Sequence, residues 1–543
     1  MRKQTKLVAV LSAAALLAMG ASMTSFAAGW EKDSDNIYHY YDEDGEMVTG
    51  EWKKDEGKWF YLDDDGDMLV ESWVDDEYYV DDHGAMLTNA WKYTMSEDGQ
   101  DDPDEDGENW YYFNSKGKKV TDGTKKINGK TYLFDSDGKM QYGWQYEGTE
   151  MYYYGDENDG ARTENQWLWL EKSGCLDDDE TEDQDVYPGC SDASGEMCDE
   201  EGWYWFQSSG KMYKDSAKKK INGRYYMFND HGQMLYEWIN KDASVKLGSN
   251  AQLDGVSGNE KTATASNMIY YNVVEEGWRG DGWYEIDGSE DMGTDSDTDW
   301  YYIDDGDITY ADPATDDFGV IDNDGKKIIN MRKKIKASGN KYFAFNEKGQ
   351  MLDGLQYIKK DGGFFYFDEN GYQKTGKVAS VECDDDDYTF FFTTKNGKNG
   401  IGYTGEKDGY LYYNGRRLEA DDDYRFFYVD GKIYLVNSKG KIQKANSSKG
   451  RDFDDIENKS YVNQENITVI TNKNGVVESI EGSVANDTTK GVLKTVQDAI
   501  SATTFDAEKY DVEVSVPFIK LYDHIYTYTN TKGTSGSITS QWK

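Results

Sequence analysis

The stretch Thr49–Trp91 is one short unit written twice, and that repetition limits the fold more than any other feature of the chain. The first copy runs from Trp52 through the cluster Trp59, Phe60 and Tyr61 to Asp65-Gly66, Met68 and Trp73. The second runs from Trp73 through Tyr78 and Tyr79 to His83-Gly84, Met86 and Trp91. Each copy reads as a β-hairpin: β-favouring aromatic residues, a two-residue turn that tolerates positive φ, and a short return strand. A period of about twenty residues that recurs along a chain predicts a solenoid or array. Function is then to be sought in a repeated surface, not in one catalytic cleft.

Composition supports this reading. Only 37% of the 543 residues are hydrophobic, yet 15% are aromatic, with 44 Tyr and 16 Trp. Little aliphatic material remains for a deep core, so stability is expected from aromatic packing between neighbouring units. The formal net charge is −46. Phosphate contacts need Lys and Arg, so nucleic acid is not an expected partner, and an anionic membrane is disfavoured for the same reason. A cationic or neutral ligand suits this surface. The alternative is that the acids simply maintain solubility outside the cell.

The N-terminus reads as a secretory signal over residues 1–27: Met1–Lys6 is basic, Leu7–Met19 is apolar, and Ser25-Phe26-Ala27 supplies small residues at the cleavage positions. No later segment has the length and apolarity of a membrane span, so no membrane insertion is expected. The last residues, Ser540–Lys543, show no sorting signal, so attachment to a cell would be non-covalent.

Residues 28–170 hold the clearest repeats, opening with Trp30, Tyr40-Tyr41, Asp44-Gly45 and Met47 and broken by an acidic run from Asp98 to Glu108. A second flavour of unit begins at Lys125–Trp144 and returns at Lys219–Trp238 and Lys333–Leu355, the last with Leu355 in place of Trp. Residues 171–202 form an acidic insertion with Cys175, Cys190 and Cys198, where secretion permits a local disulfide; Cys383 is far away. Repeats with insertions continue over 203–375, and degenerate hairpins without Trp over 376–445. The texture changes at 446–543. Tyr461–Ser483 reads as two strands around Asn474-Gly475, Thr488–Ala502 as a helix, and Val512–Tyr528 as one or two more strands: a small α/β domain or a cap for the array.

Catalytic and metal chemistry find little support in the residues. Asp102, Asp104, Asp106 and Gly107 approach a calcium loop, but its twelfth position is Phe113, which cannot ligate. Asp63–Asp67 and Asp384–Asp387 read as turns and solvated faces. Type I′ hairpin chemistry accounts for Asp65-Gly66, Asn128-Gly129, Asn222-Gly223, Asp324-Gly325, Asn414-Gly415 and Asp430-Gly431. The four histidines, His39, His83, His231 and His524, fall in different segments, with no nucleophile motif beside them. No enzyme, cofactor or metal is expected.

The aromatic residues remain. A Trp at each hairpin end and a Trp/Tyr pair on the strand would converge between stacked hairpins into a three-sided box. Such a box suits a quaternary ammonium group, at about 0.5–2 kcal/mol per ring, and its flat rings also suit the C–H faces of a neutral sugar. The alternative is that the rings are only the core of a thin array.

These units resemble the cell-wall-binding repeats of Gram-positive surface proteins, of the choline-binding type, and the related glucan-binding repeats. The residues that carry the resemblance are Trp turns (Glu51-Trp52, Ser72-Trp73, Gly143-Trp144, Glu237-Trp238), aromatic strands (Trp59–Tyr61, Trp110–Phe113, Trp203–Phe206, Trp300–Tyr302) and G-x-M returns (Gly66–Met68, Gly84–Met86, Gly138–Met140, Gly232–Met234). Glu51, Ser72 and Glu237 replace the Gly that usually precedes Trp. The resemblance implies an all-β solenoid of stacked hairpins, a superhelix, with ligand sites between successive hairpins. Carried over by position, it implies one box from Trp52, Trp59 or Tyr61, and Trp73. A second would hold Tyr79 with Trp73 and Trp91, and further sites would hold Trp144 with Tyr153, and Trp238 with an unidentified partner. The implied protein is a secreted, non-catalytic binder of a wall polymer, either choline-bearing teichoic acid or a neutral glycan. The rival readings are an adhesin or structural repeat protein whose C-terminal segment binds a partner, and a wall hydrolase with its catalytic segment after Asn446.

Overall fold

The computed structural model describes residues 28–101, 107–172, 199–241, 245–246, 264–289, 292–294, 297–321, 327–383, 386–394, 399–445, 450–454, 456, 467–481 and 519–521. The signal segment, residues 173–198 of the insertion with its three cysteines, Asp324-Gly325 and the expected helix Thr488–Ala502 lie outside the described residues. Among the described residues the regular structure is almost entirely short strands, nearly all antiparallel, in sheets of two to six.

The hairpin is built differently from the sequence expectation. Strand Glu51–Asp55 pairs with Lys58–Leu62, Trp52 standing opposite Tyr61, around Glu56-Gly57 with φ of 44° and 86°. The two-residue turn therefore sits between the Trp and the aromatic cluster, not at Asp65-Gly66. Asp65-Gly66 belongs to a wider second turn in which Gly66, at φ 82°, takes the left-handed conformation. Asp63 closes that turn: its Oδ1 accepts from the backbone N–H groups of Asp65 (3.0 Å) and Asp67 (2.8 Å). The return to Met68 is a single bridge to Leu62. Each repeat thus carries two turn signals, where the sequence reading allowed one. At Asn128-Gly129, Asn222-Gly223, Asn414-Gly415 and Asp430-Gly431 both residues have positive φ, as a type I′ turn requires.

The second flavour of unit folds as a three-stranded sheet. Gly123–Ile127, Lys130–Phe134 and Met140–Gln141 form one, and Ser216–Ile221, Arg224–Phe228 and Met234–Leu235 another. The third copy, Lys327–Ile335, Lys341–Asn346 and Met351–Leu352, gains Asp317–Ile321 as a fourth strand.

The Gly that the resemblance places before Trp also finds its account here. The left-handed residue lies one position earlier at Trp52 and Trp73, in Gly50 (φ 65°) and Glu71 (φ 45°), which leaves Glu51 and Ser72 in extended strand. Glu237 itself takes φ 57°.

The described residues form two compact units, one reaching to Leu168 and including Tyr204–Tyr213, the other holding those from Trp169 to Trp203 and from Lys214 onward. In both, hairpins are stacked by the same hydrogen bond: the backbone N–H of a return residue donates to a carbonyl at the second strand of the preceding hairpin. In the first unit Met68 donates to Tyr38 (2.8 Å), Met86 to Trp59 (2.8 Å), Lys119 to Glu77 (2.7 Å) and Arg162 to Thr131 (2.8 Å). In the second, Arg279 donates to Tyr225 (2.7 Å) and Gln373 to Tyr342 (3.1 Å). The core is aromatic, as composition requires: the largest fully buried side chains are Tyr79, Tyr111, Tyr154, Tyr204, Tyr271, Tyr301 and the phenylalanines that end the strands. The later part of the second unit replaces Trp with aliphatic filling, where Val381, Leu411, Leu418, Val429 and Val436 pack among Phe364, Phe390 and Phe392.

Near the C-terminus, Ile467–Thr471 and Val477–Glu481 form the expected pair around Gly475, joined by Arg451–Phe453. Ile519–Leu521 pairs in parallel with Tyr424–Val429.

Candidate aromatic ligand sites

Adjacent residues on a strand face opposite sides. In Trp59-Phe60-Tyr61-Leu62, Tyr61 therefore meets Trp52 of its own hairpin, while Phe60 packs on Trp30 of the hairpin before, 5.2 Å between centroids. The same division separates Tyr78 from Tyr79. Tyr79 meets its own Trp73 at 5.4 Å, and Tyr78 reaches back to Trp52 at 5.4 Å. A site thus consists of a first-strand Trp, its cross-strand aromatic, and the aromatic that precedes the cross-strand position in the next hairpin. Tandem aromatics in the sequence serve two successive sites.

The first expected box is corrected by this rule. Trp52 and Tyr61 do meet, at 5.2 Å and 61°, but the third wall is Tyr78 at 64°, not Trp73 or Trp59. All three rings are half-buried and accessible. Trp59 is 40% exposed, with Lys54 Nζ 5.7 Å from its ring, and stands apart from the box. The sequence reading named Tyr78 in the aromatic strand but placed it in no site, although period-two alternation was the signal that could have done so.

The second box is corrected in the same way. Trp73 and Tyr79 meet, joined by Tyr111 at 4.9 Å and Phe113 at 5.5 Å rather than by Trp91. Trp91 centres its own site with Tyr112 (5.1 Å) and Tyr132 (4.9 Å), and Phe134 stacks on it at 5.6 Å. Trp144 and Tyr153 pair as expected at 5.3 Å, and Tyr204 of the next hairpin completes the set at 4.9 Å. The partners of Trp238 are Tyr270 (4.8 Å) and Tyr301 (5.5 Å). A further set, Trp283 with Tyr302 (5.2 Å) and Phe343 (4.6 Å), was missed, though Gly282-Trp283 carries the turn signal. Leu355 stands opposite Tyr366, so the Trp is lost there.

The electrostatics favour a cation. Burial raises the Tyr61 phenol above its ordinary pKa, and the carboxylates of Asp75, Asp64 and Asp63 raise it further. Burial likewise raises Tyr132, Tyr270 and Tyr301. The rings stay neutral and present their negative faces in a field of nearby acids. The described histidines have structural partners: His39 lies against the Gly66 carbonyl (3.0 Å) and Asp33 (3.4 Å), His83 against Asp82 and His231 against Asp230. Asp81, Asp82 and His83 cluster at one turn, where Asp81 Oδ1 already accepts from the backbone N–H groups of His83 and Ala85.

Comparison with known proteins gives the class. A choline-binding repeat model matches residues 27–73 and 121–167, and a cell wall binding repeat model matches 105–119 and 198–212. These segments of the chain are choline-binding and cell-wall-binding repeats. It is similar to glucosyltransferase-S of Streptococcus mutans, 30% identical over 141 residues that cover 24% of this chain and 8% of that protein. Among solved structures it is similar to the modular autolysin LytC of Streptococcus pneumoniae, with 18% identity, 65% of this chain and 55% of that chain covered, and a TM-score of 0.31. It is also similar to the choline-binding domain of CbpL from the same organism, with 23% identity, 39% and 98% covered, and a TM-score of 0.23.

Proposed function

We propose that this is a secreted, non-catalytic protein that attaches non-covalently to a wall polymer through the aromatic sites between its hairpins. The observation that carries the reading is the open triad Trp52–Tyr61–Tyr78, built to a rule that the chain repeats at Trp91, Trp144, Trp238 and Trp283. Three rings at about 0.5–2 kcal/mol each give an affinity near the millimolar range, about −4 kcal/mol. Linked sites on a polymer can raise avidity by about 10²–10⁴, which suits retention on a wall. The acids around Tyr61 favour an ammonium ligand such as choline. A neutral glycan is the second reading, favoured by flat exposed rings at Trp59, Trp169 and Trp300.

The test is retention of the chain without residues 1–27 on purified Gram-positive walls, eluted stepwise with choline and then with glucan oligomers. Elution by choline is expected. Elution only by glucan would move the ligand to the sugar class, and absence of retention would overturn wall attachment.

A further inference from the structure

The return residue of the next hairpin packs into the aromatic sites at Trp91 and Trp283. Met140 packs among Trp91, Tyr112 and Tyr132, and Met351 among Trp283, Tyr302 and Phe343. That return position holds Met at 68, 86, 140, 212, 234 and 351. At the site of Trp73, Tyr79 and Tyr111 it holds Lys119. Nζ of Lys119 lies 5.1 Å from the Trp73 ring centre and 5.9 Å from that of Tyr111, within range of a cation–π attraction. Asp76 Oδ1 accepts from the same ammonium at 2.6 Å, and the Lys119 side chain is only 7% exposed. The third ring, Tyr79, is covered by Lys92, whose Nζ stands 5.0 Å from its centre and 3.6 Å from Glu71.

The two neighbouring sites therefore differ in state although they are built alike. Around Trp52 the rings are half-buried and the return residue is Met86; the one lysine near them, the exposed Lys118, reaches only Tyr78, at 5.6 Å, and pairs with Glu77. Around Trp73 the rings are 4%, 2% and 0% exposed for Trp73, Tyr79 and Tyr111, and an ammonium of the chain itself faces them.

Resting on the ammonium reading of these sites, we infer that Lys119 is a built-in occupant of the Trp73–Tyr79–Tyr111 site, holding the place that a quaternary ammonium takes at Trp52–Tyr61–Tyr78. The site is closed to soluble ligand, and its internal cation joins two hairpins through Asp76. Lys119 thus sets how many of the aromatic sites can accept ligand. A Met of similar length would leave Trp73 and Tyr111 without a cation.

The experiment uses the full chain and tetramethylammonium as probe. Binding stoichiometry is measured by isothermal titration for the wild type, Lys119→Met and Lys119→Gln, the second variant guarding against misfolding of the first. In parallel, reductive methylation read by mass spectrometry follows the reaction rate of Lys119 in the wild type and in Asp76→Asn. One additional bound equivalent in either variant, with Lys119 methylated several-fold more slowly than the exposed Lys130 and faster in Asp76→Asn, is the expected result. Unchanged stoichiometry in both variants, with the wild type binding the probe, overturns the inference and leaves the ammonium reading standing. If the wild type binds no probe, the ammonium reading fails. The methylation rates then decide occupancy: a slow Lys119 released by Asp76→Asn supports it, and a rate equal to that of Lys130 overturns it.

Discussion

The thioether of Met68 lies over the α-carbon of Gly84: a β-carbon built on Gly84 would stand 2.8 Å from Met68 Cε and 2.9 Å from Sδ. Gly84 also has φ of 77°, in the left-handed region. Met47 bears the same relation to Gly66, and Met86 to Gly117. The Met of one repeat is seated on the turn Gly of the next, so the two residues that recur most regularly in the sequence are partners across the stack.

Gly84→Ala is expected to destabilise the first unit by about 2–4 kcal/mol, combining a left-handed alanine with an overpacked contact. Shortening the partner in Met68→Ala should restore part of the loss. Denaturant unfolding of both single variants and the double variant measures the coupling. Strict additivity would show that the contact carries none of the cost.

Tyr78→Ala is expected to weaken ammonium binding at the Trp52 site by about 2- to 30-fold, the range set by one ring at about 0.5–2 kcal/mol. Trp59→Ala should leave it unchanged. Choline titrations of the two variants separate the structural grouping from the one read by position, and the opposite ranking would refute the former.

Glu237→Gly is expected to raise stability by about 1 kcal/mol. Glu237 occupies φ 57° with an exposed side chain, a conformation that costs an L-residue about 1–2 kcal/mol and costs glycine little. Thermal unfolding of the second unit, read in the full chain, is the measurement. A lower transition temperature would mean that the Glu237 side chain contributes more than its backbone costs.

His39 predicts a pH dependence. Burial alone would lower its pKa, but the Gly66 carbonyl, Asp33 and Asp67 together raise it above the ordinary value. A raised folded-state pKa stabilises fully below the unfolded value of about 6.5 and is lost as pH rises through the folded value. Hydrogen exchange in the strands Gly29–Lys32 and Tyr38–Tyr41 should therefore accelerate as pH climbs past neutrality, after correction for intrinsic rates. His39→Gln should remove that excess, and an unchanged profile in the variant would assign the effect elsewhere.

Much of the site was legible in the residues. Trp52 with Tyr61, Trp73 with Tyr79 and Trp144 with Tyr153 are cross-strand neighbours, and local pairing alone brings them together. The third wall was misplaced at Trp52 and Trp73 and left unnamed at Trp144. Trp73 was assigned to Trp52, and Trp91 to Trp73, because distance along the chain suggested the next Trp. The wall is instead Tyr78 or Tyr111, turned toward the preceding hairpin by strand alternation. Lys119 carried no signal at all, since a Lys in a return strand reads as a solvated charge until the stack places it over Trp73.

The sequence by itself determined the repeat, its short antiparallel strands, the aromatic core and the Trp of every site but that of Trp283, because these follow from short-range periodicity and from turn residues that accept positive φ. Only the tertiary structure decided which rings of successive hairpins meet, that Met68 rests on Gly84, and that one box faces solvent while its neighbour holds a lysine. Those outcomes depend on the register between hairpins. That register is set by the hydrogen bonds from Met68 to Tyr38 and from Met86 to Trp59, which join residues far apart in the chain and leave no local pattern to read.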